Sequence, residues 1–248
     1  MEIPIIYQNE DFIVINKPPG ISVHGGDTVS GLTVVDFLLE KFPEIKTVGD
    51  EPEIRPAPQG EARSFLKNER PGIVHRLDKD TSGVMVVARM QESFEILKDI
   101  FKNRLAEKTY YAIVCGRVSP EKGVISFSIG RLVANPLKRG VEQGSRKIRG
   151  ARDAVTEYKV LKAGEKYSLL EVFPKTGRMH QIRVHLSALH RPIACDTVYG
   201  GKKVCCPAGC GRQLLHARSL SFVYSDGQRF SFEADYPKDF SLALKSVL

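Results

Sequence analysis

Residues 72–88 read GIVHRLDKDTSGVMVVA and join a charged stretch to an apolar run. The run at residues 84–88 is rich in β-branched side chains and follows a glycine, so it predicts a buried β-strand. The charged and hydroxyl residues before it are typical of a turn, and they predict a loop that leads directly into that strand. A loop anchored in this way can hold reactive side chains at a fixed position.

Helices are predicted on both sides of this stretch. From about Glu92, apolar residues recur at the spacing of one helix face. Upstream, residues 11–20 (DFIVINKPPG) predict a strand that ends in a turn, and Thr33 then has the character of a helix N-cap. The apolar positions of the helix after Glu92 are Phe94, Leu97, Ile100, Phe101 and Leu105.

Strands dominate the second half of the chain. Five segments have strand composition: YYAIVCG, VISFSI, VTEYKVL, YSLLEVF and RFSFEA. Few helical patterns separate them, so the sequence predicts an α+β fold with one large mixed sheet rather than alternating βαβ units. We expect residues 1–248 to form one domain, with the Pro-rich stretch at residues 47–70 as a mobile loop.

The composition narrows the class of partner. With 37 Lys and Arg against 29 Asp and Glu, the formal charge is +8, which favours a polyanion. No window is apolar enough for a membrane span, and the N-terminus lacks the pattern of a secretion signal. The five cysteines form no recognisable disulfide framework, so we expect a reducing, cytoplasmic setting.

Asp78 lies at the centre of the densest group of reactive residues, at positions 75–83. Neighbouring cations would keep its carboxylate ionised, as a nucleophile or a general base requires. The alternative is a charged surface turn in which the aspartate bonds to nearby backbone.

A second group, KTGRMHQIRVH at residues 175–185, predicts a turn followed by a helix. Ile182, Leu186 and Leu189 lie at helical spacing, and Arg183 is about a quarter turn from that apolar stripe. The free N–H groups and cations at the start of this helix favour phosphate binding. The alternative is an amphipathic helix whose basic face is solvated.

Five separate segments, in the same order, resemble the RluA family of pseudouridine synthases over nearly the whole chain. HRLD followed by TSG, HQIR about a hundred residues later, and a D-x-x-YG ending form a specific combination. The similar segments are EDFIVINKPPGISVH, GIVHRLDKDTSGVMVVAR, EKTYYAIVCG, KTGRMHQIRVHLSALHRPIACDTVYG and LLHARSLSF.

The resemblance implies a catalytic role for Asp78, Tyr110 and Arg183. It also implies that the large sheet is mostly antiparallel and carries a central RNA-binding cleft. Tyr110 would stack on the target base, and Arg183 would pair with Asp78. From its strand position alone, Tyr110 is predicted to be a core tyrosine. Asp78 could attack C1′, attack the pyrimidine ring or abstract a ribose proton.

The same resemblance implies RNA as the partner, either tRNA or rRNA. The target uridine must be flipped out, and Arg76 would fill the space that it leaves. The first motif begins by residue 11, so we expect no small RNA-binding domain before it. No metal or nucleotide cofactor is expected, and we expect a monomer. The other residues predicted to bind RNA are His75, Lys17, Thr81, Lys175, Arg178 and His180.

Two further segments have open interpretations. Residues 205–210 (CCPAGC) lack the spacing of a standard zinc site; they are a Gly-rich loop or, with His216 or Cys195, a structural metal site. We expect no metal. The basic residues 138–152 form either an RNA-binding arm or a solvated loop, and Arg152-Asp153 departs from the Gly-Lys pair expected in the family.

The leading hypothesis is an enzyme that isomerises uridine in RNA. One alternative is an inactive relative that binds RNA as a chaperone. Another is a glycosylase that uses the same carboxylate and releases free uracil.

Overall fold

A computed structural model of the chain describes residues 2–25, 31–50, 70–143, 147–202, 204–245 and 247. Residues 51–69, most of the predicted mobile loop, lie outside the described residues. The structure has twelve strands and four α-helices in the described part, with a short 3-10 helix at Pro43–Thr47. The helices are α1 (Val34–Lys41), α2 (Gln91–Lys102), α3 (Gln181–Ala188) and α4 (Lys238–Leu244). The strands are β1 (Ile5–Gln8), β2 (Phe12–Lys17), β3 (Ser82–Ala88), β4 (Glu107–Cys115), β5 (Lys122–Ile125), β6 (Ile129–Leu132), β7 (Arg139–Val141), β8 (Ile148–Arg152), β9 (Thr156–Ala163), β10 (Tyr167–Pro174), β11 (Leu215–Val223) and β12 (Arg229–Glu233).

One nine-stranded sheet organises the fold. Its strand order is β1-β2-β3-β11-β4-β10-β9-β5, with β12 also paired to β11. The β3–β11 pair is parallel and the other pairs are antiparallel. The predicted α+β fold with a large, mostly antiparallel mixed sheet is therefore confirmed.

The parallel junction between β3 and β11 explains a glycine of the central motif. Gly83 has a φ of +119°, and a Cβ there would lie 2.1 Å from the Ala217 carbonyl oxygen. Only glycine permits the two strands to approach so closely. The loop that carries Asp78 is thereby anchored at the middle of the sheet, next to β11 and β4.

Several local predictions are also confirmed. Thr33 caps α1 in a reciprocal capping box with Asp36, because each side chain bonds to the other residue's backbone N–H. Helix α2 buries Phe94, Leu97 and Ile100 as the spacing predicts.

Other predictions need correction. Helix α2 ends at Lys102, so Leu105 lies beyond it and is 64% exposed. The segment VISFSI is two strands, β5 and β6, in different sheets. Helix α4 was not predicted.

The basic stretch at residues 138–152 is structured rather than a loop where it is described. Strands β7, β6 and β8 form a separate three-stranded sheet in that order. Its apolar residues Ile129 and Val141 pack against Val184 and Ala188 of α3. This small sheet therefore stands beside the helix that carries Arg183.

The prediction that the cysteines form no disulfide framework was wrong. Disulfide bonds join Cys115 to Cys205 and Cys195 to Cys206, and Cys210 is a free cysteine. Disulfides are rare in reducing compartments, so the cysteines no longer support a cytoplasmic setting. Among the described residues, no group of three or more His, Cys, Asp or Glu side chains is placed to hold a metal ion. Every described helix falls short of the length and apolarity needed to cross a bilayer.

Candidate active site

A cleft of about 650 Å³ opens beside the centre of the large sheet. Its size is typical of ligand-binding sites. Its walls are formed by five segments: the turn before β3, the end of α2, the start of β4, the loop after β10 and the start of α3. Of the predicted site residues, those that line the cleft are His75, Arg76, Asp78, Thr81, Tyr110, Arg178, His180 and Arg183.

Asp78 lies in a tight turn that two cations hold in place. The backbone N–H of Thr81 donates to the Asp78 carbonyl at 3.0 Å. Arg212 donates to the Asp80 carbonyl at 2.8 Å and forms two hydrogen bonds with Asp239. The turn therefore presents the Asp78 carboxylate at a fixed position.

Lys17 is the second cation, and its position corrects the prediction that it binds RNA directly. It is fully buried, and its ammonium donates at 2.9 Å to the carbonyls of Pro18, Ile21 and Lys79. Burial and the charge of Arg212 lower the pKa of Lys17 to about 7. All three ammonium donors are occupied, so Lys17 ties β2 to the Asp78 turn and does not reach a ligand.

Arg183 connects Asp78 to a second carboxylate. Its Nη1 donates to Asp78 Oδ2 at 2.9 Å, while its Nε and Nη2 donate to Asp196 at 2.8 and 3.0 Å. Burial alone would lower the pKa of Arg183, but the hydrogen bonds and charges of Asp196 and Asp78 raise it. Arg183 therefore stays charged and holds the Asp78 carboxylate in one orientation.

Asp196 is a site residue that the sequence reasoning missed. It is fully buried, and its Oδ1 also accepts the backbone N–H groups of Val198 and Tyr199 at 3.0 and 3.1 Å. The Tyr199 ring lies 5.1 Å from the Arg183 guanidinium carbon. The D-x-x-YG ending of the third motif thus builds the socket for Arg183.

Tyr110 lies on β4 and faces the same cleft. Burial and the nearby Asp78 charge raise the pKa of its hydroxyl, which therefore stays protonated. Asp78, Tyr110 and Arg183 come from three elements that are distant in the sequence, and the fold brings all three to one cleft.

The loop after β10 forms one wall of the cleft. Gln181 organises it: its amide oxygen accepts hydrogen bonds from the Thr176 hydroxyl at 2.7 Å and the Arg178 backbone N–H at 3.0 Å. His180 has a left-handed backbone with a φ of 58°, and its Nε2 lies 3.9 Å from Asp78 Oδ1. Burial lowers the pKa of His180 more than the Asp78 charge raises it. Lys175 instead pairs with Glu157 at 2.9 Å and lies outside the lining of the cleft.

The opposite wall carries the residues that precede Asp78. Arg76 is exposed, and its Nη1 lies 3.0 Å from His24 Nε2. His75 stacks on Phe101 with ring centres 4.3 Å apart, and its Nε2 accepts the Val86 backbone N–H at 3.0 Å. Arg76 can therefore move toward a ligand, whereas His75 mainly supports the wall.

The comparisons with known proteins agree with this arrangement. The family model described as RNA pseudouridylate synthase matches residues 11–188. The chain belongs to the RNA pseudouridine synthase family. It is therefore an isomerase, and the resemblance to the RluA family is confirmed.

Curated relatives and solved structures give the same family. The chain is 39% identical to an uncharacterised RNA pseudouridine synthase of Mycobacterium bovis, covering 97% of this chain and 71% of that one. It is 37% identical to ribosomal large subunit pseudouridine synthase D of Borreliella burgdorferi, covering 98% and 68%. The human structure of RNA pseudouridylate synthase domain containing 4 is similar with a TM-score of 0.72 and 27% identity, covering 98% of this chain and 92% of that one.

Proposed function

We propose that this protein converts specific uridines of structured tRNA or rRNA to pseudouridine, with Asp78 as the catalytic carboxylate. The observation that carries the proposal is the Arg183 bridge, which holds the Asp78 carboxylate at the floor of the cleft beside Tyr110. An RNA-binding relative without activity would have no need for a carboxylate that a buried arginine holds in this way. rRNA is the first RNA to test, because two similar relatives are named ribosomal large subunit pseudouridine synthase D.

The chemistry needs one positioned carboxylate and control of a proton. The N1–C1′ bond breaks, the uracil turns and C5 bonds to C1′. The C5 proton then passes to a base and on to solvent, and N1 takes up a proton. The Asp78 carboxylate acts as nucleophile or base in this sequence, while the hydrogen bond from Arg183 holds it in position. Tyr110 stacks against the uracil and takes part in the proton movement at C5.

The base must leave its stack before it reaches Asp78. Unstacking costs a few kcal/mol, which protein groups offset by filling the gap. Arg76 is placed for this role, since its guanidinium is exposed at the rim of the cleft and two positions before Asp78. Arg178 and His180, on the facing wall, contact the RNA from the other side.

Exposed cations of the small sheet extend this surface. Arg131, Arg149 and Arg152 are exposed, and the backbone N–H of Arg139 donates to the Tyr199 hydroxyl at 3.1 Å. Because Tyr199 also packs on Arg183, the small sheet is held next to the catalytic group. We propose that it follows the phosphates of the bound RNA.

We further propose that residues 1–248 act as one catalytic domain, as a monomer and in the cytoplasm. The proposed cytoplasmic setting rests on the RNA substrate of the family and not on the cysteines, four of which form disulfides. The reaction is proposed to proceed without a cofactor, since carboxylate and base chemistry suffices for it.

Tritium release from RNA labelled at uridine C5 tests the proposed function. The wild-type protein and Asp78→Asn are compared on bulk tRNA and on rRNA separately. Glu44→Gln is the control, because Glu44 is exposed and does not line the cleft. Release by the wild type and the control but not by Asp78→Asn supports the proposal and shows which pool holds the target. Equal release by Asp78→Asn would contradict it. Tight RNA binding without any release would favour the inactive relative.

A further inference from the structure

Four cations line the α2 side of the cleft, and the sequence reasoning identified none of them as a binding residue. Lys98 is paired with Asp50, which leaves three. Lys102 is the last residue of α2, Arg104 follows it, and Lys108 is the second residue of β4. All three line the same cleft as Asp78 and Tyr110. They face the wall formed by Arg178 and His180.

Lys108 has a fixed relation to the catalytic residues. Side chains two positions apart on a strand share a face, so Lys108 lies on the same face of β4 as Tyr110, about 7 Å along the strand. Its charge also contributes to lowering the pKa of His75, which places it close to the turn that carries Asp78. A nucleotide whose base stacks on Tyr110 therefore presents its backbone near Lys108.

The local electrostatics favour an added anion. Burial lowers the pKa of Lys108, and the neighbouring charge of Arg104 lowers it further. By contrast, Lys98, which lies on α2 one turn before Lys102, forms an ion pair with Asp50 at 2.6 Å. Within the described ranges, neither Lys108 nor Arg104 forms an ion pair with a carboxylate. Two adjacent cations, one partly buried, repel each other until an anion binds between them.

We propose that Arg104 and Lys108, with Lys102 at the rim, bind a backbone phosphate next to the target uridine. The inference rests on the proposed function, because it takes the uridine to lie between Asp78 and Tyr110. A phosphodiester suits the site better than a base edge, since the three cations offer only donors and their charges need neutralising. The subsite holds the RNA backbone on the side of the cleft opposite to Arg178, and it fixes the target nucleotide relative to Asp78.

The test compares Arg104→Gln, Lys108→Gln and the wild type on the RNA pool that yields tritium release. KM, kcat and the salt dependence of RNA binding are measured for each. Lys162→Gln is the matched control, because Lys162 is an exposed cation near the far end of β9. Arg104 is exposed, so its variant keeps the subsite testable if replacing Lys108 impairs folding.

Each phosphate contact that is lost should reduce the slope of log affinity against log salt by about 0.7–0.9. We expect that reduction in both variants, with KM raised roughly 5- to 20-fold and kcat changed by less than about 3-fold. A KM and a salt slope equal to those of Lys162→Gln in both variants would overturn the subsite. If the wild type released no tritium, the proposed function would fail. RNA binding by the same variants would then still decide the subsite.

Discussion

The guanidinium of Arg183 is shared by two carboxylates, Asp196 at 2.8 and 3.0 Å and Asp78 at 2.9 Å. Asp196 is fully buried and takes two of the three bonded nitrogens, so it fixes the plane of the guanidinium. Only Nη1 then points to Asp78. The orientation of the Asp78 carboxylate thus depends on a residue that does not line the cleft.

Asp196→Asn should lower kcat with little effect on KM. An amide cannot accept both guanidinium bonds with a full charge, so Arg183 would lose its fixed plane. We expect a loss of about 10- to 100-fold in kcat, equivalent to about 1.4–2.7 kcal/mol in the barrier. Steady-state kinetics on the active RNA pool would show this, with thermal unfolding as the check on folding. A wild-type kcat would exclude the positioning role of Asp196.

Arg183→Lys should retain RNA binding and lose most of its turnover. An ammonium is a point charge and cannot bond both Asp78 and Asp196 with the geometry of a planar guanidinium. Filter binding and tritium release on the same preparation separate the two effects. Arg178→Lys, on the facing wall, is the matched comparison and should affect KM more than kcat. Equal losses of binding and turnover in Arg183→Lys would contradict this assignment.

Two histidines with lowered pKa values, the half-buried His75 and the fully buried His216, should make the protein acid-sensitive. Burial lowers the pKa of His75 to about 3 and that of His216 to about 4, both below the ordinary value of 6.5. Between the ordinary pKa of 6.5 and the lowered pKa of each histidine, the unfolded chain binds a proton that the folded chain does not. The free energy of unfolding therefore falls as the pH drops from 6.5 toward 4. The dependence reaches about 1.4 kcal/mol per pH unit for each group.

Urea unfolding at several pH values measures this dependence. His216→Gln can replace the bonds to Ser82 and the Ala234 carbonyl, and it should flatten the pH dependence between 6.5 and 4. An unchanged pH dependence in this variant would assign the acid sensitivity to other groups.

The cysteines give a prediction that needs no substrate. Titration of the denatured, unreduced protein should find one thiol, Cys210, and titration after reduction should find five. Replacing Cys115 and Cys205 by serine opens a 90-residue loop and should cost about 2–4 kcal/mol of unfolding free energy. Five thiols before reduction would contradict the pairing.

The motifs predicted most of the residues that the structure places in the cleft, but they did not show which charged residues of a motif are buried. Asp78 and Arg183 lie in segments whose composition already indicates reactive groups. Lys17 and Asp196 lie in equally recognisable motifs, but their roles depend on being fully buried against carbonyls and a guanidinium. A single sequence does not show which charged residue of a motif points inward.

The disulfides and the split of VISFSI depend on contacts between distant segments. Cys115 meets Cys205 because both lie beside residues 192–195: the Cys115 N–H donates to the Pro192 carbonyl and the Cys195 N–H donates to the Cys205 carbonyl. The apolar spacing of VISFSI fits one strand, yet Ile125 joins the large sheet and Ile129 joins the small one. Pairing partners decide these features, and local composition does not contain them.

The most direct test of the central claim is nucleoside analysis of RNA incubated with the wild-type protein and with Asp78→Asn. We predict that with the wild type the amount of uridine lost equals the amount of pseudouridine gained, and that no free uracil appears. With Asp78→Asn, neither the loss nor the gain should occur. Free uracil without pseudouridine, or pseudouridine formed equally by Asp78→Asn, would contradict the account.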